Sequence, residues 1–178
     1  MRKVTLYIAQ SLDGKIARMN GDVDWLDQFS NAENEDYGYS SFLESVDTTL
    51  MGNRTYEKIH SFGIDFPYAG KENYVFTRQK GKHDTDFVKF IGDDVASFVQ
   101  GIKQEHGKGI WLIGGGEINS LLYNEGLIDE IYLFTMPVTL GEGVPLFSGR
   151  LVERQLKLIE LSSYSSGVIC KKYRIVDE

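Results

Sequence analysis

Three clusters of residues in this chain have the types and spacing to hold an anion, and each follows a short apolar run. Gly114, Gly115 and Gly116 stand in "WLIGGGEIN" (111–119), between buried-type residues and a helix-like segment. Backbone N–H groups left free at a helix start, with no Cβ in the way, bind a pyrophosphate. In "MGNRT" (51–55), Gly52 permits close approach, Arg54 supplies charge and the Thr55 hydroxyl is a donor. In "VFTR" (75–78), Thr77 and Arg78 add a basic corner. Two cradles and a separate basic corner suit a dinucleotide better than a mononucleotide. Singly, each has a plain reading, because glycine runs make tight turns and lone arginines are solvated. "GGGEIN" does not fit the G-x-G-x-x-G fingerprint, and "GNRTYE" does not fit the G-x-x-x-x-G-K-[ST] loop. Their common position at strand ends carries the case, since ligands of an α/β sheet gather there.

The elements that must position these clusters read as alternating strands and helices. Strands are predicted at 4–9, 48–51, 73–77, 86–91, 109–113 and 128–138, with two more at 155–165 and 168–176. Tyr39, Phe42, Leu43 and Val46 recur at i, i+3, i+4, i+7 and predict one helical face. A short helix follows Gly52 with Asn53 as its expected cap. Val95, Phe98, Val99 and Ile102 mark another, capped by Asp93 or Asp94, and a last helix runs from Glu117 towards Gly126. The pattern predicts an α/β fold with a mostly parallel central sheet, crossover helices and a C-terminal antiparallel hairpin.

Composition removes other classes. The 178 residues carry a net charge of −7, which argues against a general nucleic-acid or anionic-membrane binder. No apolar run has the length of a membrane span, and the N-terminus lacks the apolar core of a secretory signal. The single cysteine, Cys170, cannot form an internal disulfide and reads as a small core residue. His60, His83 and His106 share no metal spacing, so no metal is expected. Without a linker or repeat, 1–178 reads as a single domain in a reducing, cytoplasmic setting.

In order and spacing, "LMGNRTYE", "YVFTR" and "WLIGGGEIN" resemble the cofactor-binding segments of dihydrofolate reductases. "YIAQSLDGKIA" followed by "GDVDWL" is similar to the start of the reductase domain of the riboflavin-biosynthesis deaminase/reductase. Both belong to the dihydrofolate reductase-like superfamily, and the resemblance spans nearly the whole chain. It implies a three-layer fold, NADPH as cofactor and hydride transfer to a carbon–nitrogen double bond. It places Ala9, Ile16, Gly52, Arg54, Thr55, Thr77, Arg78, Gly114, Gly115, Gly116, Glu117 and Ile118 against the cofactor. Tyr7, Trp25 and Asp36 fall against the substrate, and a cis peptide is implied between Gly114 and Gly115.

A carboxylate is the natural aligner of a pterin or aminopyrimidine edge, accepting two parallel N–H bonds. Asp36 stands sixteen residues before Gly52, the spacing of the pterin-binding acid in dihydrofolate reductases. Placed three residues before Tyr39 on an inward helical face, it is expected to be partly desolvated with a raised pKa. As one of four acids between 33 and 44, it has the plain alternative of capping or solvating a helix start. Asp13 and Lys15 of "SLDGKIA" are the other catalytic candidates, although Asp-Gly is equally a turn signal. Three departures bear on the substrate and cofactor. Asn53 stands where dihydrofolate reductases usually carry a basic residue. Val23 replaces a serine of the riboflavin-type enzyme, and residues 33–45 carry no basic residue. A phosphorylated substrate is therefore disfavoured, and preference for NADPH leans on Arg54 and Arg78. The expected activity is a reductase of the riboflavin type, acting on a ribosylaminopyrimidine. Dihydrofolate reductase and a non-catalytic NADPH-binding protein are the alternatives. Tyr132, Phe134, Tyr164 and Tyr173 are expected to expose enough apolar surface for a homodimer.

Overall fold

The N-terminal apolar run becomes a central strand. In the computed structural model, which describes residues 1–29 and 35–176, the chain opens with β1 (Val4–Ser11) and β2 (Lys15–Ala17), then a 3-10 turn over Asp24–Phe29. Next come α1 (Tyr39–Ser45), β3 (Val46–Gly52), α2 (Asn53–His60), β4 (Glu72–Phe76) and β5 (Lys89–Ile91). After these follow α3 (Val95–Gln104), β6 (Gly109–Gly114), α4 (Gly116–Asn124) and β7 (Glu130–Met136). The chain finishes with β8 (Val144–Pro145), β9 (Leu156–Ser163) and β10 (Ile169–Ile175). One sheet has the order β5-β4-β3-β6-β1-β7-β10-β9. Its pairs from β5 to β7 are parallel, and β10 and β9 add an antiparallel hairpin. β2 and β8 form a small separate pair.

Alternation along the strands divides the core in two. Val4, Leu6 and Ile8 of β1 share one face with Leu50, Ile110, Leu112 and Ile131, buried against Val99, Ile102, Ile118 and Leu122 of α3 and α4. The opposite face carries Tyr7 and Phe134 beneath the 3-10 turn, through Trp25 and Phe29. On that same face Phe42 of α1 packs on Trp111, and Tyr56 and Ile59 of α2 pack on Met51 and Val75. Helices on both faces make three layers, as the resemblance implies.

Several local expectations are corrected. Val46 belongs to β3, because α1 ends at Ser45. Asn53 is not a cap: extended Gly52 takes that position, and the Asn53 amide donates to Glu57 at 2.8 Å. Asp94 does cap α3, accepting from the Ser97 N–H at 3.2 Å. The expected apolar surface around β7 is also corrected. Phe134 is buried in the core, Tyr132 packs among the aromatics below Tyr7, and Tyr164 and Tyr173 are half-buried in the two clusters. Exposed apolar side chains lie elsewhere, at Leu156, Leu158 and Leu161 of edge strand β9, with Ile169 of β10. The register shift beside Lys172 and Tyr173 accommodates Ile159 as an extra residue. That bulge keeps Leu158 and Leu161 on one face.

Candidate active site

The three strand-end clusters come together at one end of the sheet. β3 and β6 are neighbours, so Gly52 and Gly114 lie side by side, and a Cβ on Gly52 would stand 3.8 Å from the Gly114 carbonyl oxygen and 3.9 Å from Ile118. The Thr55 hydroxyl, one turn into α2, donates to the Gly114 carbonyl at 3.2 Å. Arg54 from α2 and Arg78 beyond β4 both turn to Glu117 of α4, at 3.8 Å and 2.7 Å. Thr77, next to Arg78 in the chain, is buried, its hydroxyl accepting from the Gln79 N–H at 3.1 Å.

Each glycine of the triplet has its own reason. Gly114 and Gly115 have φ of 120° and 71°, conformations that side-chain-bearing L residues rarely adopt. At Gly116 the limit is room: a Cβ there would lie 2.5 Å from both the Pro145 carbonyl oxygen and the Ser148 Oγ. No peptide bond among the described residues is cis, so the expected cis bond between Gly114 and Gly115 is corrected. Left-handed backbone and close approach of a second segment account for the three glycines.

That second segment, residues 138–148, straps the site together. Asp13 accepts from the N–H groups of Leu140 and Gly141 at 3.0 Å and 2.8 Å, and from the Ser11 hydroxyl at 2.6 Å. Ser11 in turn accepts from the Lys15 N–H at 3.0 Å. Leu146 N–H donates to the Gly14 carbonyl, and β8 pairs with β2, which holds Lys15 and Ile16. At its far end the strap reaches α4: Ser148 N–H donates to the Gly116 carbonyl, and the Asn119 amide donates to Leu146 at 2.9 Å. The loop after β1 and the start of α4 are thus joined by one piece of chain. The Ser11, Leu140 and Gly141 donors hold the Asp13 carboxyl down at about 2. Through these bonds the ionised Asp13 ties the strap to the loop after β1.

On the other side of β1 lies an aromatic cluster. Tyr7 stacks on Phe42 with centroids 4.3 Å apart, and Phe134 and Trp111 close around it. Ala9, two residues on, lies on the same face beneath Trp25. Burial pushes the Tyr7 phenol well above its usual range, and the nearby Asp36 carboxylate adds to the shift. Asp36 therefore stands within electrostatic reach of Tyr7, but its expected desolvation is corrected. α1 begins only at Tyr39, after Tyr37 and Gly38 take positive φ, so Asp36 is not on a helical face. Its exposed carboxylate accepts from the Gly38 N–H at 2.8 Å and the Ser40 N–H at 3.1 Å, and the Ser40 contacts hold its pKa below the ordinary value. Trp25 is buried with no partner for its indole N–H. Asp22 of the loop before the 3-10 turn binds Lys58 of α2 at 2.6 Å.

Sequence reasoning missed the strap, Asn119 and the Asp22–Lys58 pair. "TLGEGVPLF" (139–147) lies between the strand predicted at 128–138 and the C-terminal hairpin and carries none of the motifs above. Asn119 is fully buried, its Oδ1 has no partner, and a Cβ on Gly114 would meet it at 3.3 Å. A helix start preceded by glycines in left-handed backbone, with Arg54 and Arg78 beside it, fits the phosphates of a dinucleotide.

Sheet order, helices on both faces and converging strand–helix junctions define a member of the dihydrofolate reductase-like superfamily. The model of the RibD C-terminal domain family matches residues 69–170, over half the chain, and the protein belongs to that family of reductase domains. It is 40% identical to the uncharacterized Bacillus subtilis protein YwjB, over 94% of this chain and 95% of that one. Among solved structures, a putative riboflavin biosynthesis protein from Shewanella sp. PV-4 superposes with a TM-score of 0.87 at 29% identity, covering 99% of this chain and 100% of that one. The diaminohydroxyphosphoribosylaminopyrimidine deaminase/5-amino-6-(5-phosphoribosylamino)uracil reductase of Thermotoga maritima shares the fold, with a TM-score of 0.74 at 19% identity. That match covers 98% of this chain and 57% of the larger protein.

Proposed function

We propose that the protein is an NADPH-dependent reductase acting on a carbon–nitrogen double bond of a pyrimidine- or pterin-type compound, most like 5-amino-6-(5-phosphoribosylamino)uracil reductase. The observation that carries this reading is the convergence of Gly52, Thr55 and the 114–116 triplet into one cradle, with Arg54 and Arg78 at its rim. When bound, NADPH supplies the hydride, and the protein's part is to bind, align and exclude water. Gly52, Thr55, Gly114, Gly115 and Gly116 would hold the pyrophosphate, with Ile118 beneath them. Arg54, Thr77 and Arg78 would hold the adenosine phosphate. Ala9 and Ile16 would flank the nicotinamide. Tyr7 and Trp25 offer the substrate an apolar wall, and the ionised Asp36 accepts N–H bonds from its amino-substituted edge. With Asp13 engaged by the strap, Lys15 remains as the candidate proton donor beside the nicotinamide.

Dihydrofolate reduction is the second reading, favoured by the exposed carboxylate of Asp36 within electrostatic reach of Tyr7. A turnover screen with NADPH and, side by side, dihydrofolate and the ribosylaminopyrimidine tests both. Stoichiometric loss of reduced nicotinamide with one of them is expected. NADPH binding without oxidation by any such compound would instead mark a non-catalytic binding protein. A cytoplasmic homodimer completes the proposal. It is supported by the exposed leucines of β9, and no helix among the described residues is long and apolar enough to cross a membrane.

A further inference from the structure

We propose that Glu117 is a built-in competitor for the adenosine phosphate and so tunes how strongly the protein prefers NADPH over NADH. The inference rests on the dinucleotide reading above. Glu117 lies in the first turn of α4, directly after the glycine triplet. A carboxylate there is already stabilised by the helix start, and needs no cation. Yet two arginines from two other junctions point at it: Arg78 Nη2 lies 2.7 Å from Oε2, and Arg54 Nη1 lies 3.8 Å from Oε1. The guanidinium groups that would grip a phosphate already hold an internal anion.

All three side chains face solvent, with Arg78 89%, Arg54 93% and Glu117 60% exposed. Exposed pairs of this kind are weak and exchange readily. A 2′-phosphate must displace Glu117 from Arg78 and then sit beside its charge. The 2′-hydroxyl of NADH needs no such exchange, and a carboxylate accepts a hydrogen bond from a ribose hydroxyl. Glu117 therefore opposes one cofactor and accommodates the other, while Arg54 and Arg78 favour the phosphorylated one.

Dissociation constants for NADPH and NADH, read from the fluorescence of the reduced nicotinamide, test this in the parent, Glu117→Gln, Arg78→Ala and the double variant. Glu117→Gln is expected to tighten NADPH about 2- to 5-fold, the scale of an exposed ion pair, and to leave NADH unchanged or weaker. In the Arg78→Ala background the same substitution should move the NADPH/NADH ratio by less than half as much. A ratio that Glu117→Gln leaves unchanged or lowers overturns the proposal while the cofactor reading stands. An equal gain in the Arg78→Ala background also overturns it, since general repulsion would then suffice. Failure of the parent to bind either dinucleotide overturns the cofactor reading and the proposal with it.

Discussion

Alanine at Gly116 tests the strap directly. The new Cβ would stand 2.5 Å from the Pro145 carbonyl oxygen and 2.5 Å from Ser148 Oγ. The serine hydroxyl can rotate away, but the carbonyl belongs to backbone held by β8 pairing and the Leu146–Gly14 and Ser148–Gly116 hydrogen bonds. Relief requires the strap to lift by roughly an ångström. Overpacking of this kind costs about 1–3 kcal/mol, and loss of one strap hydrogen bond about 1 kcal/mol more. A total of about 2–4 kcal/mol corresponds to a fall in Tm of about 4–16 °C for a chain of this size. Gly101→Ala is the matched control. It lies in α3 with nothing within 4 Å of its Cβ position, so the same substitution should stabilise by about 0.5–1 kcal/mol. Thermal unfolding followed by circular dichroism measures both, and dinucleotide affinity should fall only for Gly116→Ala. If Gly116→Ala melts at or above the parent, the strap is not packed against α4 as described and the reasoning fails.

Asp36→Asn should lower kcat/KM by about 30- to 1000-fold on the identified substrate, through loss of a charged paired acceptor, with NADPH affinity unchanged. Turnover within threefold of the parent would remove Asp36 from the site. Asp13, with its carboxyl at about 2 against an ordinary 3.8, stabilises the fold above its unfolded pKa and loses that contribution as pH falls from about 4 towards 2. Asp13→Asn should therefore flatten the acid limb of the stability–pH curve, and an unaltered limb refutes this contribution. On β9, Leu158→Glu with Leu161→Lys should convert a dimer to monomer in sedimentation velocity, and a parent already monomeric at micromolar concentration ends that proposal.

Strands and cradle were legible in the sequence because their signals are local. Apolar runs at 4–9 and 109–113 and glycines at strand ends report on their own neighbourhoods, and these elements form where the pattern puts them. The strap was not legible, since the Asp13–Leu140 contact joins residues 127 positions apart, and nothing in "TLGEGVPLF" distinguishes it from an idle turn. Asn119 looks like a surface residue until the helix is seen to bury it. Asp36 was misjudged through periodicity: a helix extended back to it would face inward, but Tyr37 and Gly38 in left-handed backbone end the helical repeat at Tyr39. The apolar surface was misplaced for a related reason. Aromatics in β7 and leucines in β9 are equally apolar, and only the sheet order shows which strand lies at the edge.

The central position of β1 sets the order in which the polypeptide can acquire its shape. Val4 is in register with Ile110 and Thr5 with Glu130, so the first strand made finds both neighbours only after more than a hundred further residues. Until β7 has left the ribosome, Leu6 and Ile8 have no finished layer to enter, and β3, β4 and β5 must collect without their central support. Contacts of such long sequence separation slow folding and leave unpaired strand edges exposed while they wait. A chain stopped anywhere before residue 136 should persist as an aggregation-prone species, because β7, the second neighbour of β1, is incomplete and the β10–β9 hairpin beyond it is missing.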